Sequence, residues 1–175
     1  MNEFWDIYDI NKRKTGRKAE KNLYKFQDGE YHIISTGVIM NSKNNILISK
    51  RAPTKKYGGL WECNGGSIKS GETSLQGVIR ELHEELGINL SEEDATLLKE
   101  TRNDRGKAVF NDIWLFKKDI DNNEIKFLDG ESTEFKWITV EQFEEMSNND
   151  EFAPTFNFNK SDYEKIISDN NGKLN

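Results

Sequence analysis

Gly66-Ser67-Ile68-Lys69-Ser70-Gly71-Glu72-Thr73-Ser74-Leu75-Gln76-Gly77-Val78-Ile79-Arg80-Glu81-Leu82-His83-Glu84-Glu85-Leu86-Gly87-Ile88 is the stretch from which the rest of the chain can be read. Leu75, Val78, Ile79, Leu82 and Leu86 recur at helical spacing, which predicts a helix from Ser74 to Leu86, and Gly87 before Ile88 is a helix stop. Glu81, Glu84 and Glu85 stand at i, i+3 and i+4 and share another side of that helix. Like charges so placed repel by roughly a few tenths of a kcal/mol per pair. They also lie toward the C-terminal end, where the helix dipole disfavours anions. Both effects oppose the arrangement, so a compensating cation is expected, and Arg80 cannot neutralise all three carboxylates.

A bound hard divalent metal can do so. Oxygen ligands select Mg²⁺ or Mn²⁺ over zinc, which favours His and Cys. The chain has two His and one Cys, Cys63, so a structural zinc site is not expected. The apolar face anchors the helix in a core and leaves the carboxylates toward a cleft. Gly65, Gly66 and Gly71 allow the preceding loop to come close and offer a backbone carbonyl to the ion. Spacing alone also leaves open an ordinary amphipathic helix with a solvated acidic face.

The surrounding chain of 175 residues suits one domain. Its 34% hydrophobic residues include ten Phe, five Tyr and four Trp, enough large apolar side chains for a packed core. The longest apolar runs, such as Ile46-Leu47-Ile48, are far shorter than the roughly 20 residues that cross a bilayer. The first residues lack the basic and apolar regions of a signal peptide, and a lone Cys excludes an internal disulfide, so a cytoplasmic location is expected. A net charge of −6 argues against a broadly basic surface for nucleic-acid polymers. A small anion remains compatible if a metal supplies positive charge locally.

Alternation in Trp5-Asp6-Ile7-Tyr8 and the polar break that follows predict an N-terminal hairpin within an extension, residues 1–30, packed on a main domain, residues 31–172. Tyr31 to Met40, a turn at Asn41 to Asn45, and Ile46 to Lys50 read as a second hairpin. Pro53 to Gly59 is a loop, and Leu60 to Cys63 a short strand. Strands are expected at Ala95 to Thr101, Ala108 to Lys117 and Glu134 to Thr139, with turns at 103–106 and 121–123. Helices are expected at Val140 to Ser147, capped by Thr139, and at Lys160 to Asp169, capped by Asn159 or Ser161, with a frayed tail after Asn170.

These residues resemble the Nudix family. Gly66, five residues, Glu72, seven residues, Arg80-Glu81, Leu82, one residue, Glu84-Glu85, one residue, Gly87 and Ile88 match the Nudix box at every defining position. At average residue usage the fixed positions coincide at on the order of one in 10⁸ starts. The preceding hairpin, the Leu60-Trp61-Glu62 approach and the later Glu134-Phe135-Lys136-Trp137-Ile138 strand fit as well. The resemblance implies an α/β class, the Nudix α/β/α sandwich with a mixed β-sheet. It also implies hydrolysis of a diphosphate bond in a nucleoside diphosphate derivative or other small phosphorylated substrate, with Mg²⁺ or Mn²⁺.

Carried onto this chain, the resemblance gives Glu84 and Glu85 as principal metal ligands, helped by the Gly65 carbonyl. It gives Glu81 as a further ligand or the base acting on water, and Glu72 with Arg80 as the brace between box loop and helix. Glu134 and Glu131 are candidates for an extra carboxylate from outside the box, and Arg51 and Lys55 for substrate contacts. Homodimers are common in the family, and the N-terminal hairpin is a candidate dimer element. Two alternatives stay open. The Trp5-Asp6-Ile7-Tyr8-Asp9 opening and the Gly29-Glu30-Tyr31-His32 strand resemble the branch allied to isoprenoid diphosphate isomerases, although Cys63 lies earlier than the catalytic Cys of those enzymes. A nucleotide-sensing domain without turnover is the other. His83 and Cys63 read as a surface and a buried strand residue.

Overall fold

The computed structural model describes residues 2–104 and 108–171. Its elements are β1 (Phe4–Tyr8), β2 (Lys14–Glu20), β3 (His32–Met40), β4 (Ile46–Arg51), β5 (Trp61–Glu62), β6 (Gly65–Ser67), α1 (Ser74–Leu86), β7 (Ala95–Asn103), β8 (Val109–Lys117), β9 (Ser132–Ile138), α2 (Val140–Asn148) and α3 (Lys160–Asn171). The expected turn at 103–106 reaches into residues 105–107, outside those described, as does the tail beyond 171. Among the described residues no helix is long and apolar enough to cross a membrane.

Seven strands form one mixed sheet in the order β5-β4-β3-β8-β7, with β6 also on β3 and β9 also on β4. β3 and β8 run parallel in continuous register from His32↔Val109 to Met40↔Lys117. The turn at Asn41–Asn45 forms as expected: the Asn41 side chain accepts the Lys43 and Asn45 N–H groups at 3.0 and 2.9 Å. Yet β3 and β4 pair only at Met40↔Ile46. Beyond that point they diverge, β4 pairing with β9 and β5, while β6 takes the β3 edge at Ile34, Ser35 and Thr36. This split in the sheet admits the loop that leads to α1.

Alternation along the strands builds a core on each face. Ile39, Leu47 and Phe116 meet Val78, Leu82 and Leu86 of α1. Val38, Met40, Ile46, Ile48, Ile113, Leu115 and Ile138 meet Phe143 of α2 and Tyr163 and Ile166 of α3. The result is an α/β/α sandwich. Gly37 lets α1 approach, because a Cβ there would lie 2.5 Å from Leu82 Cδ1. On the other side the Tyr163 hydroxyl reaches the Asn44 and Ile138 carbonyls at 2.6 and 2.9 Å, fixing α3 to the sheet.

β1 and β2 form a separate two-stranded sheet. It joins the main body through paired backbone hydrogen bonds between Tyr8 and Tyr31, at 2.8 and 2.9 Å. Trp5 adds a stack on His32 with ring centres 4.5 Å apart.

Candidate metal centre and active site

α1 carries the acidic group, and its ends are set by local chemistry. Thr73 caps the first turn by accepting the Gln76 N–H at 3.1 Å, and Gln76 returns the bond to the Thr73 N–H at 3.1 Å. Gly87 closes the helix at φ 70°, donating to the His83 carbonyl at 2.9 Å. Between these caps Val78, Leu82 and Leu86 are buried and hold the helix against the sheet, while His83 is exposed.

Arg80 organises the base of the group. Its Nε and Nη2 donate to the two oxygens of Glu72 at 2.7 and 3.0 Å, and Nη2 also meets the Ser67 carbonyl at 3.2 Å. Nη1 reaches Glu81 at 2.8 Å and Glu84 at 2.9 Å. Burial pushes the Glu72 carboxyl up, but hydrogen bonds from Arg80 and the Lys69 N–H outweigh it and hold it below the usual carboxylate range. Glu81 is raised, because burial exceeds what Arg80 returns. Its carboxylate lies over Gly66, where an added Cβ would stand 2.5 Å from Glu81 Cδ. Glycine at that position leaves Glu81 where it is; any larger residue would displace the carboxylate.

Glu85 is different in kind. It is 7% exposed, and its carboxylate accepts one hydrogen bond, from Asn64 Nδ2 at 2.6 Å. Among the described residues no Lys, Arg or His forms an ion pair with it. Burial drives its pKa well above the usual range; Asn64 opposes this, and the charges of Glu81, Glu62 and Asp129 add to it. Leaving such a carboxylate charged and unpaired in a protein interior costs several kcal/mol.

Two further carboxylates lie beside Glu85. Glu85, Asp129 and Glu131 each place a carboxylate oxygen within 4.8 Å of the others. Oxygens bound to one hard divalent cation at about 2.0–2.6 Å are separated by comparable distances, so the donor type and spacing fit Mg²⁺ or Mn²⁺. The turn that brings Asp129 and Glu131 together uses Gly130 at φ 73° and a bond from the Glu131 N–H to Asp129 Oδ1 at 2.8 Å.

Of the residues expected from sequence, Arg80 draws Glu72, Glu81 and Glu84 together, Gly66 lies under Glu81, and Gly65 lies on the adjoining β6 against Ser35 and Thr36. Glu131 joins Glu85. Glu134 does not: alternation on β9 sends Phe135 and Trp137 to the α1 face, while Glu134 pairs with Lys50 at 2.9 Å on the opposite face. Glu84 is the most exposed of the helix trio and pairs with Arg80 and with Lys69 at 3.4 Å. Lys55 forms an ion pair with Glu131, and Arg51 forms one with Glu62.

Arg51 and Glu62 line a cavity of about 150 Å³ with Thr36, Gly65, Gly66 and Phe156. Burial raises the Glu62 carboxyl despite Arg51. Cys63 is buried, its Sγ 3.7 Å from the Leu47 carbonyl, and burial pushes the thiol up, as suits a small core side chain and not a nucleophile. Neither Asn64 nor Asp129 stands out in the sequence. The only signal for Asp129 was its place in Asp129-Gly130-Glu131, a turn that puts two carboxylates on one side; Asn64 gave none.

A profile of the NUDIX domain matches residues 31–156. An uncharacterized Nudix hydrolase of Listeria innocua is 31% identical over 160 residues, covering 90% of this chain and 92% of that protein. An 8-oxo-dGTP diphosphatase of Proteus vulgaris is 39% identical over 71 residues, 41% of this chain and 62% of that one. The crystal structure of a Deinococcus radiodurans protein superposes with a TM-score of 0.69 at 19% identity, covering 86% of this chain and 92% of that chain.

Proposed function

The chain belongs to the Nudix family of pyrophosphohydrolases, and on that premise we propose that it cleaves the diphosphate bond of a nucleoside diphosphate derivative with Mg²⁺ or Mn²⁺ held by Glu85, Asp129 and Glu131. The observation that carries this reading is the buried Glu85 carboxylate, which meets two further carboxylates and no cationic side chain among the described residues. The 8-oxo-dGTP diphosphatase relative supports a nucleotide substrate.

A metal bound there supplies Lewis-acid and template chemistry to the diphosphate. The protein's own residues do the rest. Asn64 orients Glu85 through the 2.6 Å bond, and Ser132 in turn meets Asn64 at 3.4 Å and Ser49 at 3.0 Å, so the ligand rests on a buried polar chain. Glu81, with its pKa raised by burial, is suited to accept the proton of the attacking water, and Arg80 holds it in place. Gly66 leaves the space in which Glu81 sits.

Arg51 lines the cavity beside Gly65 and Gly66, where it can meet a phosphate oxygen or the polar edge of the substrate. Lys55 pairs with Glu131, so a cation held by Glu131 would leave the Lys55 ammonium near the site as a partner for substrate phosphates. Phe156, at the same cavity, offers an aromatic surface to the nucleoside.

Calorimetric titration of Mn²⁺ into the wild type, Glu85→Gln, Asp129→Asn, Glu131→Gln and Glu134→Gln tests the assignment. The first three substitutions should each weaken binding at least tenfold, and Glu134→Gln should leave it within about twofold. Loss of binding in Glu134→Gln with Glu131→Gln unaffected would move the site to the other face of β9.

A further inference from the structure

The N-terminal hairpin grips the loop that leads into α1. Asp6 on β1 accepts hydrogen bonds from Ser70 Oγ at 2.7 Å and from the Gly71 N–H at 3.1 Å. The Phe4 carbonyl accepts the Ser70 N–H at 2.7 Å, and Lys14 on β2 backs the Asp6 carboxylate at 2.7 Å. Burial pushes the Asp6 carboxyl up, but these partners outweigh it and keep it ionised. The hairpin is itself anchored to the sheet. Besides the Tyr8 and Tyr31 pairing, Lys12 reaches the buried Asp112 on β8 at 2.6 Å.

Contacts continue inward from the gripped loop. Next to Ser70, the Lys69 N–H donates to Glu72 at 2.9 Å. Glu72 takes the Arg80 guanidinium at 2.7 and 3.0 Å, and Arg80 reaches Glu81 and Glu84. The loop itself belongs to no strand or helix, and Gly71 sits at φ 94°, so bonds from the hairpin replace those a sheet would give. The whole hairpin, residues 4–20, lies outside the stretch matched by the family profile.

We propose that Asp6 is a positioning residue for the acidic helix: it fixes the Ser70-Gly71 turn, and through Glu72 and Arg80 it sets where Glu81 is held and how α1 presents the neighbouring metal ligand Glu85. The proposal rests on the metal-dependent reading of the site. Removing the carboxylate leaves the Gly71 N–H and the Ser70 hydroxyl to water, loosens the Lys69 to Glu72 segment and frees Arg80 to turn away from Glu81.

The test uses the full chain and Mn²⁺ as probe, with wild type, Asp6→Ala, Asp6→Asn and Lys21→Ala compared by calorimetry and by amide hydrogen exchange of residues 69–72. Lys21 pairs with Glu3 at 3.1 Å, so its loss perturbs the hairpin while leaving the Asp6 bonds to Ser70 and Gly71 in place. Asp6→Ala should weaken Mn²⁺ binding about tenfold and speed exchange at 69–72. Asp6→Asn, which keeps one acceptor oxygen for Ser70, should recover part of both, and Lys21→Ala should stay within about twofold of wild type. Wild-type Mn²⁺ affinity and loop exchange in Asp6→Ala, whatever its melting temperature, would overturn the proposal, as would an equal loss in Lys21→Ala. A wild type that binds no Mn²⁺ would instead overturn the metal reading, and the exchange comparison would still decide whether Asp6 holds the loop.

Discussion

Glu85 on α1 and Glu131 ahead of β9 each bring a carboxylate oxygen within 4.8 Å of the other, although one is buried and the other half-exposed. Lys55 pairs with Glu131, but Glu85 is nearly free of solvent and has no ion-pair partner among the described residues, so its charge is unfavourable there unless a cation binds.

The first prediction concerns that cost. A carboxyl whose folded pKa is raised contributes stability only at low pH and loses it as pH rises through the folded value. At neutral pH without metal, Glu85→Gln should therefore match or exceed wild type in stability, since the amide oxygen can still accept from Asn64. With Mn²⁺ the order should reverse, because only the wild type gains binding energy in the folded state. Thermal melts in EDTA and in Mn²⁺ check both halves; a Glu85→Gln protein much less stable than wild type in EDTA would show that Glu85 is a structural group.

Gly66→Ala is predicted to cost catalysis more than folding. The added methyl would overlap the Glu81 carboxylate, the end of a flexible side chain that can move aside, so the protein folds with Glu81 displaced. Turnover should fall at least tenfold with a melting temperature within roughly 4 °C of wild type. Full activity in the folded variant would remove Glu81 from the mechanism.

Thr73→Ala removes the cap of α1 and should lower stability by about 1 kcal/mol, a shift of roughly 2–4 °C for a chain of this size. Its side chain is outside the acidic group, so Mn²⁺ affinity measured below the melt should be unchanged.

Asp6 gives a prediction in pH. Its folded pKa lies below the unfolded value, so the stability it adds is present above about pH 4 and is lost as pH falls through the folded value. The stability difference between wild type and Asp6→Asn should hold from neutral pH to about 5 and shrink below 4. Denaturant unfolding of both proteins across that range measures it, and a difference that grows on acidification would contradict the assignment of Lys14, Ser70 and Gly71 as the partners that lower it.

How much of this could be read from the sequence depended on how local the determinants were. The limits of α1 were legible because apolar period and stop glycine lie within one short segment, and the turn at Asn41–Asn45 was legible for the same reason. The main partner of β3 was not, since its parallel register with β8 joins distant segments and leaves no local mark. The divergence of β4 from β3 was hidden behind a good hairpin signal. At the site, Glu72, Arg80 and Glu81 could be placed from the box. Which of Glu131 and Glu134 faces Glu85 depends on the phase of β9, which is shifted by an irregularity opposite Lys50 and Arg51. Asn64 holds Glu85 through a bond between separate elements and carries no pattern of its own.

Turnover of a panel of nucleoside diphosphate derivatives and oxidised nucleoside triphosphates by wild type and Glu85→Gln, in Mg²⁺, in Mn²⁺ and in EDTA, tests the central claim most directly. The account predicts release of nucleoside monophosphate or pyrophosphate by wild type in either metal, none in EDTA, and a loss of at least a hundredfold in Glu85→Gln. Turnover that persists in EDTA, or that Glu85→Gln retains in full, would contradict it.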